Sequence, residues 1–209
     1  MMTRLARYRH EVFVQRLGWT LPCPDGLELD QFDREDTVYL VALNKCTGAI
    51  RGSARLMPTT RPYLLREIFP VLLHDAPAPT SADIWELSRF AVVDLEAPAS
   101  ARSGQFSSRA ATALLRATLI CAAELGARGL VSVSPIGVAR LLKRAGFVVQ
   151  SGPPVTMGGK RLFVCRIDAL QSPGGRDTLC QGSLCLTGAI SANGRQIRLN
   201  PHQVAELAR

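Results

Sequence analysis

Apolar and polar residues follow one another along this chain in two spacings, one helical and one strand-like. Residues 4–17 place apolar side chains at mixed helical spacing, and Ser107 to Leu125, rich in alanine and leucine, is the clearest helical segment. Thr37 to Leu43 and Ala49 to Met57 are β-like runs joined by a short connection that is typical of a hairpin. The pattern therefore predicts helices and paired strands in one chain.

The alternation continues to about residue 169. It predicts a short helix, a buried strand, a helix rich in basic residues and two more strands. These elements are Pro62–Leu73, Gly129–Ser134, Ile136–Ala145, Phe147–Gln150 and Arg161–Ile167. Because helices and strands interleave and the first two strands form a hairpin, we predict an α/β fold, a three-layer α-β-α sandwich with a mixed sheet.

The character of the chain changes from about Leu170. Residues 172–175 read Ser-Pro-Gly-Gly, which is typical of a linker, and Leu184 to Leu199 resembles a hairpin whose turn is 192–194, Ala-Asn-Gly. We therefore predict one domain over residues 1–169 and a C-terminal extension over 170–209, to which the sequence assigns no role.

Composition and charge narrow the class of protein. The chain has 209 residues, of which 47% are hydrophobic and 20% charged, so it is not a wholly disordered chain. No apolar stretch approaches the roughly 20 residues that cross a bilayer, and residues 1–16 lack the apolar core of a targeting segment, so we expect a cytoplasmic protein. The 25 basic residues exceed the 17 acidic ones by 8, which favours an anionic partner.

The six cysteines and three histidines give no support to a metal centre. The cysteines are scattered without a C-x-x-C pair, and no H-E-x-x-H helix is present. We expect reduced thiols and no metal.

The run Ile84 to Val93 carries the most informative chemistry. It is apolar enough for a buried strand, yet it contains Glu86, Ser88 and Arg89. Buried ionised groups persist when they are paired or used for chemistry, so a structural ion pair and a reactive site both fit. Alternation along a strand places Glu86 and Ser88 on one face and Arg89 on the other.

Other polar and aromatic residues occur where a simple core would not place them, in the first 70 residues. Taken singly, each also fits an ordinary structural role. Together with Glu86-x2-Arg89, their order and spacing resemble the signature of the acyl-homoserine lactone synthases, the bacterial autoinducer synthases, from about Arg7 to Ile167. The matching positions are Arg9-x3-Phe13, Trp19, Asp30-x2-Asp33, Arg55, Phe69, Glu86 and Arg89.

This resemblance implies a fold similar to that of N-acetyltransferases, with a cleft between central strands. It implies two substrates, S-adenosylmethionine and a fatty acyl group on acyl carrier protein, and no cofactor. The methionyl amine would attack the acyl thioester, and the methionyl carboxylate would then displace methylthioadenosine to close the lactone of a quorum-sensing signal.

The resemblance also implies roles for individual residues. Glu86 would act as the base through water, with Ser88 assisting it; an α-amine, whose pKa is about 8, must lose a proton before it attacks. Arg89 could line the same cleft if the strand bulges or if its side chain reaches around an edge. The expected S-adenosylmethionine pocket consists of Arg9, Phe13, Trp19, Asp30, Asp33, Arg55, Phe69 and Arg89.

The second half of the chain would hold the acyl group and its carrier. Ser134 stands where many relatives that prefer 3-oxo chains carry threonine, and it is assigned here to the acyl chain. The basic residues Arg140, Lys143 and Arg144 would dock acyl carrier protein, although a solvated helix face is the alternative.

Family members usually have a further strand before Arg9 and end near Ile167, so we expect a form with upstream residues to be more stable and active. The rivals are an acyl-coenzyme A-dependent N-acyltransferase, disfavoured because residues 101–106 hold a single glycine, and a nucleic-acid-binding module, disfavoured by the 6% aromatic content. Acyl chain length, the oxidation state at its third carbon and the oligomeric state stay open.

Overall fold

The computed structural model describes residues 1–97, 109–135, 138, 142–143, 146–168, 184–191 and 196–197. These residues form one mixed sheet with helices packed on it. The helical segments are α1 (Met2–Arg9), a π-helix (His10–Arg16), a 3-10 turn (Pro24–Gly26), α2 (Leu64–Glu67), a second 3-10 turn (Pro70–Leu73) and α3 (Arg109–Glu124). The strands are β1 (Val38–Asn44), β2 (Ile50–Pro58), β3 (Ile84–Val92), β4 (Gly129–Pro135), β5 (Val149–Ser151), β6 (Val155–Met157), β7 (Lys160–Asp168), β8 (Leu184–Ser191) and β9 (Gln196–Ile197).

The sheet has the order β5-β7-β4-β3-β2-β1-β8-β9, and β6 pairs with the outer part of β7. Strands β3 and β4 run parallel, whereas the other described neighbours are antiparallel. The predicted α/β fold with a mixed sheet is confirmed, and the predicted first hairpin is found as β1 and β2.

Helix α3 covers one face of the sheet and packs a core that includes Leu56, Leu87 and Leu114. At Gly52 the helix lies so close that a Cβ atom would stand 3.2 Å from Leu114 Cδ2 and 3.1 Å from Val92 Cγ2. The opposite face carries α1, the π-helix and the loop that follows it, over a second cluster that includes Leu5, Phe13 and Tyr39. None of the described helices is long and apolar enough to span a membrane.

The structure corrects two predicted helices. The helix predicted for 4–17 begins at Met2, and from His10 its hydrogen bonding changes to that of a π-helix. The helix predicted for Pro62–Leu73 is two short pieces, because Phe69 leaves the helical region and Pro70 starts a 3-10 turn. Within the predicted basic helix 136–145, residues 138, 142 and 143 are described, and all three are helical.

The feature of the sheet that creates a site is a fork between β3 and β4. These strands pair at three positions, the last being Glu86 with Val131. Beyond that pair, the described partners of β3 lie on β2 and those of β4 lie on β7. The described pairing of β3 with β4 therefore ends at Glu86, and the sheet forks there.

The C-terminal hairpin is present in the sheet. Strand β8 runs antiparallel to β1, and β9 pairs with β8 across residues 192–195. The predicted domain boundary at residue 169 lies outside the described residues, so the division into domain and extension stays a prediction.

Candidate active site

A β-bulge in β3 sets the orientation of the site. Arg55 on β2 is opposite Ser88 and Ser53 is opposite Ala91, so Arg89 and Phe90 together face the single residue between them on β2. Arg89 takes a left-handed backbone conformation with φ of 48°. The extra residue shifts the alternation, so that Phe90 packs towards α3 while Arg89 turns to the face of Glu86 and Ser88. Of the two arrangements that would let Arg89 share the face of Glu86, the structure has the strand bulge.

Three arginines and three acids form a closed ring of ion pairs on this face. Arg9 binds Glu28 and Asp33, with Nη1 2.7 Å from Asp33 Oδ1. Arg55 joins Asp33 to Asp30, with Nη1 2.7 Å from Asp30 Oδ1. Arg89 closes the ring, because its Nη2 lies 2.8 Å from Glu28 Oε1 and 2.9 Å from Asp30 Oδ2. Each arginine bridges two acids and each acid bridges two arginines.

The ring is largely buried, with the Asp30 side chain its most exposed member at 22%, and its formal charges balance. The side chains of Arg9 and Arg55 have no exposed area, and that of Glu28 is 1% exposed. Burial raises the pKa of Asp33, but Arg9 and Arg55 lower it by a larger amount. The pKa of Asp33 is therefore well below its usual range. In the same way, Arg89 and Arg9 outweigh burial and lower the pKa of Glu28. Asp33 and Glu28 are therefore charged partners of the guanidiniums at neutral pH, and each of these buried charges faces a charge of opposite sign.

Glu28 is the ring member that sequence reasoning missed. It lies in the segment 20–36, where the family signature includes only Asp30 and Asp33. The structure buries it, and its backbone N–H donates to Ala6 O at 3.1 Å, which ties the loop to α1. The available signal was its position two residues before Asp30, on an apolar stretch between Leu27 and Leu29.

Aromatic rings stand against the guanidiniums. The Phe13 and Trp19 ring centroids are 4.8 Å apart, and the Arg89 guanidinium carbon lies 5.7 Å from the first and 5.3 Å from the second. The Arg9 guanidinium stands 5.9 Å from the ring of Tyr39, whose hydroxyl donates a hydrogen bond to an Asp33 carboxylate oxygen. Such contacts restrain each planar fork in one orientation.

The π-helix and a glycine turn place Trp19. Within the π-helix, the wider turn carries Phe13 into the core. Gly18 then takes φ of +65°, a conformation that suits glycine, and the Trp19 N–H donates to Phe13 O at 2.9 Å. Phe13 is buried, whereas the Trp19 side chain is half-buried and lies at the edge of the site.

Glu86 occupies the fork of the sheet and is 1% exposed. Its two carboxylate oxygens accept the backbone N–H groups of Leu64 and Leu65, each at 2.8 Å, so it also holds the first turn of α2. Burial raises the pKa of Glu86 to about 7, although these two hydrogen bonds and the charges of Arg55 and Arg89 oppose the rise. A carboxylate with this pKa can take up or release a proton near neutral pH.

Ser88 lies on the same face, but its described contact is with the ring. Its hydroxyl oxygen accepts a hydrogen bond from Arg55 Nε at 2.9 Å. The expectation that it assists Glu86 stays a prediction.

The remaining predicted site residues lie apart from the ring. Phe69 is half-buried and packs with Phe32 and Tyr63 on the ring's face of the sheet. Ser134 is buried on β4, its Oγ 3.4 Å from Ser132 Oγ, and alternation places it on the opposite face from Val131. Lys143 is exposed, whereas Arg140 and Arg144 lie outside the described residues. No group of three potential metal ligands occurs among the described residues.

Comparison with known proteins gives a consistent result. The family model described as Autoinducer synthase matches residues 1–172. The acyl-homoserine-lactone synthase of Acinetobacter nosocomialis is 48% identical over 169 residues, which are 80% of this chain and 92% of that protein. The acyl-homoserine-lactone synthase of Ralstonia nicotianae is 47% identical over 167 residues, covering 78% of this chain and 80% of the relative.

Solved structures are similar as well. TofI, in a ternary complex with an inhibitor and MTA, superposes with a TM-score of 0.68 at 42% identity, over 80% of this chain and 84% of TofI. BjaI, a CoA-dependent acyl-homoserine lactone synthase with SAM and isopentyl-CoA, gives 0.70 at 32% identity, over 81% and 76%. An N-acetyltransferase from Lactobacillus plantarum gives 0.51 at 16% identity and shares the fold alone.

Proposed function

The chain belongs to the autoinducer synthase family and is an acyl-homoserine-lactone synthase, and we propose that it acylates S-adenosylmethionine from an acyl-[acyl carrier protein] and then closes the lactone with release of methylthioadenosine. The observation that carries this proposal is a buried carboxylate, Glu86, at the fork of the sheet, beside a charge-balanced ring of arginines and acids.

In the proposed reaction Glu86 is the general base. The α-ammonium of S-adenosylmethionine gives up a proton, through water, to Glu86. The freed amine attacks the thioester carbonyl carbon, the C–N bond forms and the C–S bond breaks, and the carrier leaves as a thiol. A pKa of about 7 supports this role, because such a base is mostly ionised just above neutral pH and still accepts a proton from an amine with a pKa of about 8.

The second step closes the ring and needs no base. The methionyl carboxylate attacks the carbon attached to the sulfonium, a C–O bond forms, and the C–S bond breaks to release neutral methylthioadenosine. Because the leaving group is already a sulfonium, the demand on the protein is to hold the carboxylate close to that carbon.

The arginine–acid ring is proposed as the rigid wall of the S-adenosylmethionine pocket. Its guanidiniums are already paired with acids, so the ring offers fixed hydrogen-bonding edges without a net charge to be neutralised. Phe13 and Trp19 would pack beside the ligand, with Phe69 farther along the same face. The acyl chain would pass through the fork towards Ser134 on the other face.

The acyl donor is proposed to be acyl carrier protein because the chain has a formal charge of +8 and an exposed Lys143 on its basic helical segment. Acyl carrier proteins are acidic, and charge complementarity steers such partners together. The alternative donor is acyl-coenzyme A, a possibility favoured by two solved neighbours, BjaI and MesI, which are CoA-dependent synthases at 32% and 31% identity.

One experiment tests the reaction and the donor together. The pure protein is incubated with S-adenosylmethionine and a matched panel of acyl-[acyl carrier protein]s and acyl-coenzyme A thioesters, and products are identified by mass spectrometry. The proposal expects a lactone and methylthioadenosine in equal amounts, faster with the carrier protein. A higher kcat/KM with coenzyme A thioesters would assign the donor to coenzyme A, and folded protein that makes no lactone across the panel would refute the proposed reaction.

A further inference from the structure

A row of residues crosses the site face of the sheet from β3 to the C-terminal strand. Ser88 on β3 is paired with Arg55 on β2, Arg55 with Tyr39 on β1, and Tyr39 with Ile190 on β8. Neighbouring residues in such a row lie close together on one face of a sheet. The row therefore begins at the candidate catalytic strand and ends at a residue that lies beyond position 172, where the family match stops.

Ile190 packs against residues that support the arginine–acid ring. It is half-buried and contacts the cluster that contains Phe13, Tyr39 and Leu5. Tyr39 is 1% exposed, and it donates its hydroxyl hydrogen to Asp33, which in turn binds both Arg9 and Arg55. A single chain of contacts thus connects Ile190 to the arginine–acid ring.

The sequence of β8 is adapted to this position. Leu40 pairs with Ala189 and Ala42 with Leu186, so Thr187 and Gly188 together face one residue of β1. Glycine inside a strand commonly marks a bulge, and the bulge keeps Ile190 in register with Tyr39 while the strand continues to Asn44. Strand β8 also pairs with the backbone groups on the outer edge of β1, which would otherwise form a bare sheet edge.

We propose that β8 is a working part of the catalytic domain and that Ile190 is a positioning residue: by packing against Tyr39 it holds Asp33 and the arginines in the arrangement that S-adenosylmethionine requires. The inference rests on the proposed function of the ring as the wall of that pocket. It assigns a role to a segment of the chain that lies beyond residues 1–172, which the family model matches.

The first test uses full-length variants and separates positioning from stability. Ile190→Ala removes the side chain that supports Tyr39, and we expect KM for S-adenosylmethionine to rise about tenfold, within the hundredfold that a misplacement of about 1 Å can cause, while kcat changes little. Ile190→Val should restore most of the affinity. Val148→Ala, which truncates an exposed aliphatic residue next to β5, is the control and should leave KM unchanged.

The results distinguish this inference from the proposed function. If the unaltered protein makes no lactone, the proposed function fails and this inference fails with it. If the unaltered protein makes lactone but Ile190→Ala lowers the melting temperature with no change in KM, β8 is merely structural and the inference alone is overturned.

A second test needs no substitution. Because coupling between two sites is reciprocal, a β8 that supports the pocket must itself be stabilised when the pocket is filled. We expect saturating S-adenosylmethionine to slow amide hydrogen exchange in residues 184–191 together with residues 28–39. Protection of 28–39 with unchanged exchange in 184–191 would overturn the proposal.

Discussion

At the scale of single residues, the site is defined by the closure of its ion-pair ring. A buried pair of opposite charges is roughly neutral for stability, but a buried charge that loses its partner is costly. In the ring every guanidinium has two carboxylate neighbours, so each acid restrains two arginines at once. The ring therefore fixes the geometry of the three arginines but adds little to the free energy of folding.

Glu28 provides a direct test of this interpretation. Glu28→Gln leaves Arg9 and Arg89 each short of a buried charge partner, so we expect a loss of roughly 3–5 kcal/mol in the free energy of unfolding, measured by urea denaturation. Glu67→Gln removes an exposed carboxylate that lies 3.7 Å from Arg66, and an exposed pair is worth at most about 1 kcal/mol. Equal losses in the two variants would contradict the ring as a closed unit.

Glu86 should set the pH dependence of the rate. A base must be ionised to accept a proton, so at saturating S-adenosylmethionine the wild-type rate should rise with pH through the Glu86 pKa of about 7 and level off above it. In Glu86→Gln the rate should fall by roughly 10²–10⁴-fold at pH 7, and its pH dependence should follow the amine instead, with a midpoint near ~8. A variant with the same profile and rate as the wild type would exclude Glu86 as the base.

The raised pKa of Glu86 makes the stability of the fold change with pH in the direction opposite to that of the rate. Because the pKa of Glu86 is higher in the folded protein than the ordinary value of 4.5, the folded state binds its proton more tightly than the unfolded chain. This contribution to stability is present at acidic pH and is lost as the pH rises from about 4.5 through about 7. The ionised form of Glu86, which the proposed reaction uses, is therefore the form that stabilises the fold less.

The family resemblance predicted nine site positions, and the structure places all nine on one face of the sheet, eight of them at the ring or the fork and Phe69 farther along. Glu28 could not be predicted, because a loop acid carries no periodic signal and its burial depends on Arg89, which is 61 residues away in sequence. The resemblance assigned Ser134 to the acyl chain, but the sequence did not predict which face of the sheet Ser134 lies on. That face follows from the pairing of β4 with β7.

At the scale of elements, the site depends on departures from regular structure. Alternation in β3 correctly grouped Glu86 with Ser88 but placed Arg89 on the other face, and the bulge reverses that placement. The helix expected from residue 4 becomes a π-helix where Phe13 must enter the core. Hydrophobic periodicity predicts where strands and helices lie, whereas one extra residue in a strand or a wider helical turn leaves almost no trace in it.

Gly18 tests the link between the end of the π-helix and Trp19. A Cβ at this position meets nothing within 4 Å, so Gly18→Ala costs only the strain of φ at +65°, about 1–2 kcal/mol. We expect a lower melting temperature and a raised KM for S-adenosylmethionine, because Trp19 follows this residue directly.

Gly48 is the matched control for this prediction. It has φ of +69° in the hairpin between β1 and β2, and a Cβ there also meets nothing within 4 Å. Gly48→Ala should lower the melting temperature by a similar amount without changing KM. If both variants leave KM unchanged, the turn at Gly18 does not position the ligand.

At the scale of the whole molecule, the sheet is assembled from both ends of the chain around the fork. The two halves meet at three paired positions between β3 and β4, and the sheet forks beyond them. The sequence indicated a C-terminal hairpin but gave no sign that β8 joins the first hairpin, because the paired positions of β1 and β8 are 140 or more residues apart and their pairing depends on tertiary packing. Long-range pairing of edges is the part of this fold that local patterns do not contain.

The net charge of the molecule leads to a last prediction, on the choice of donor. If the basic helical segment docks an acidic carrier protein, Lys143→Glu should raise KM for acyl-[acyl carrier protein] several-fold and weaken its salt dependence, since the screening length at physiological salt is about 8 Å. Lys45→Glu makes the same change of charge in the exposed hairpin turn and should have a smaller effect. The comparison is made by steady-state kinetics at two ionic strengths. A coenzyme A thioester is also anionic but much smaller than the carrier protein, so Lys143→Glu should raise its KM less, and equal effects of Lys143→Glu on both donors would remove the docking role.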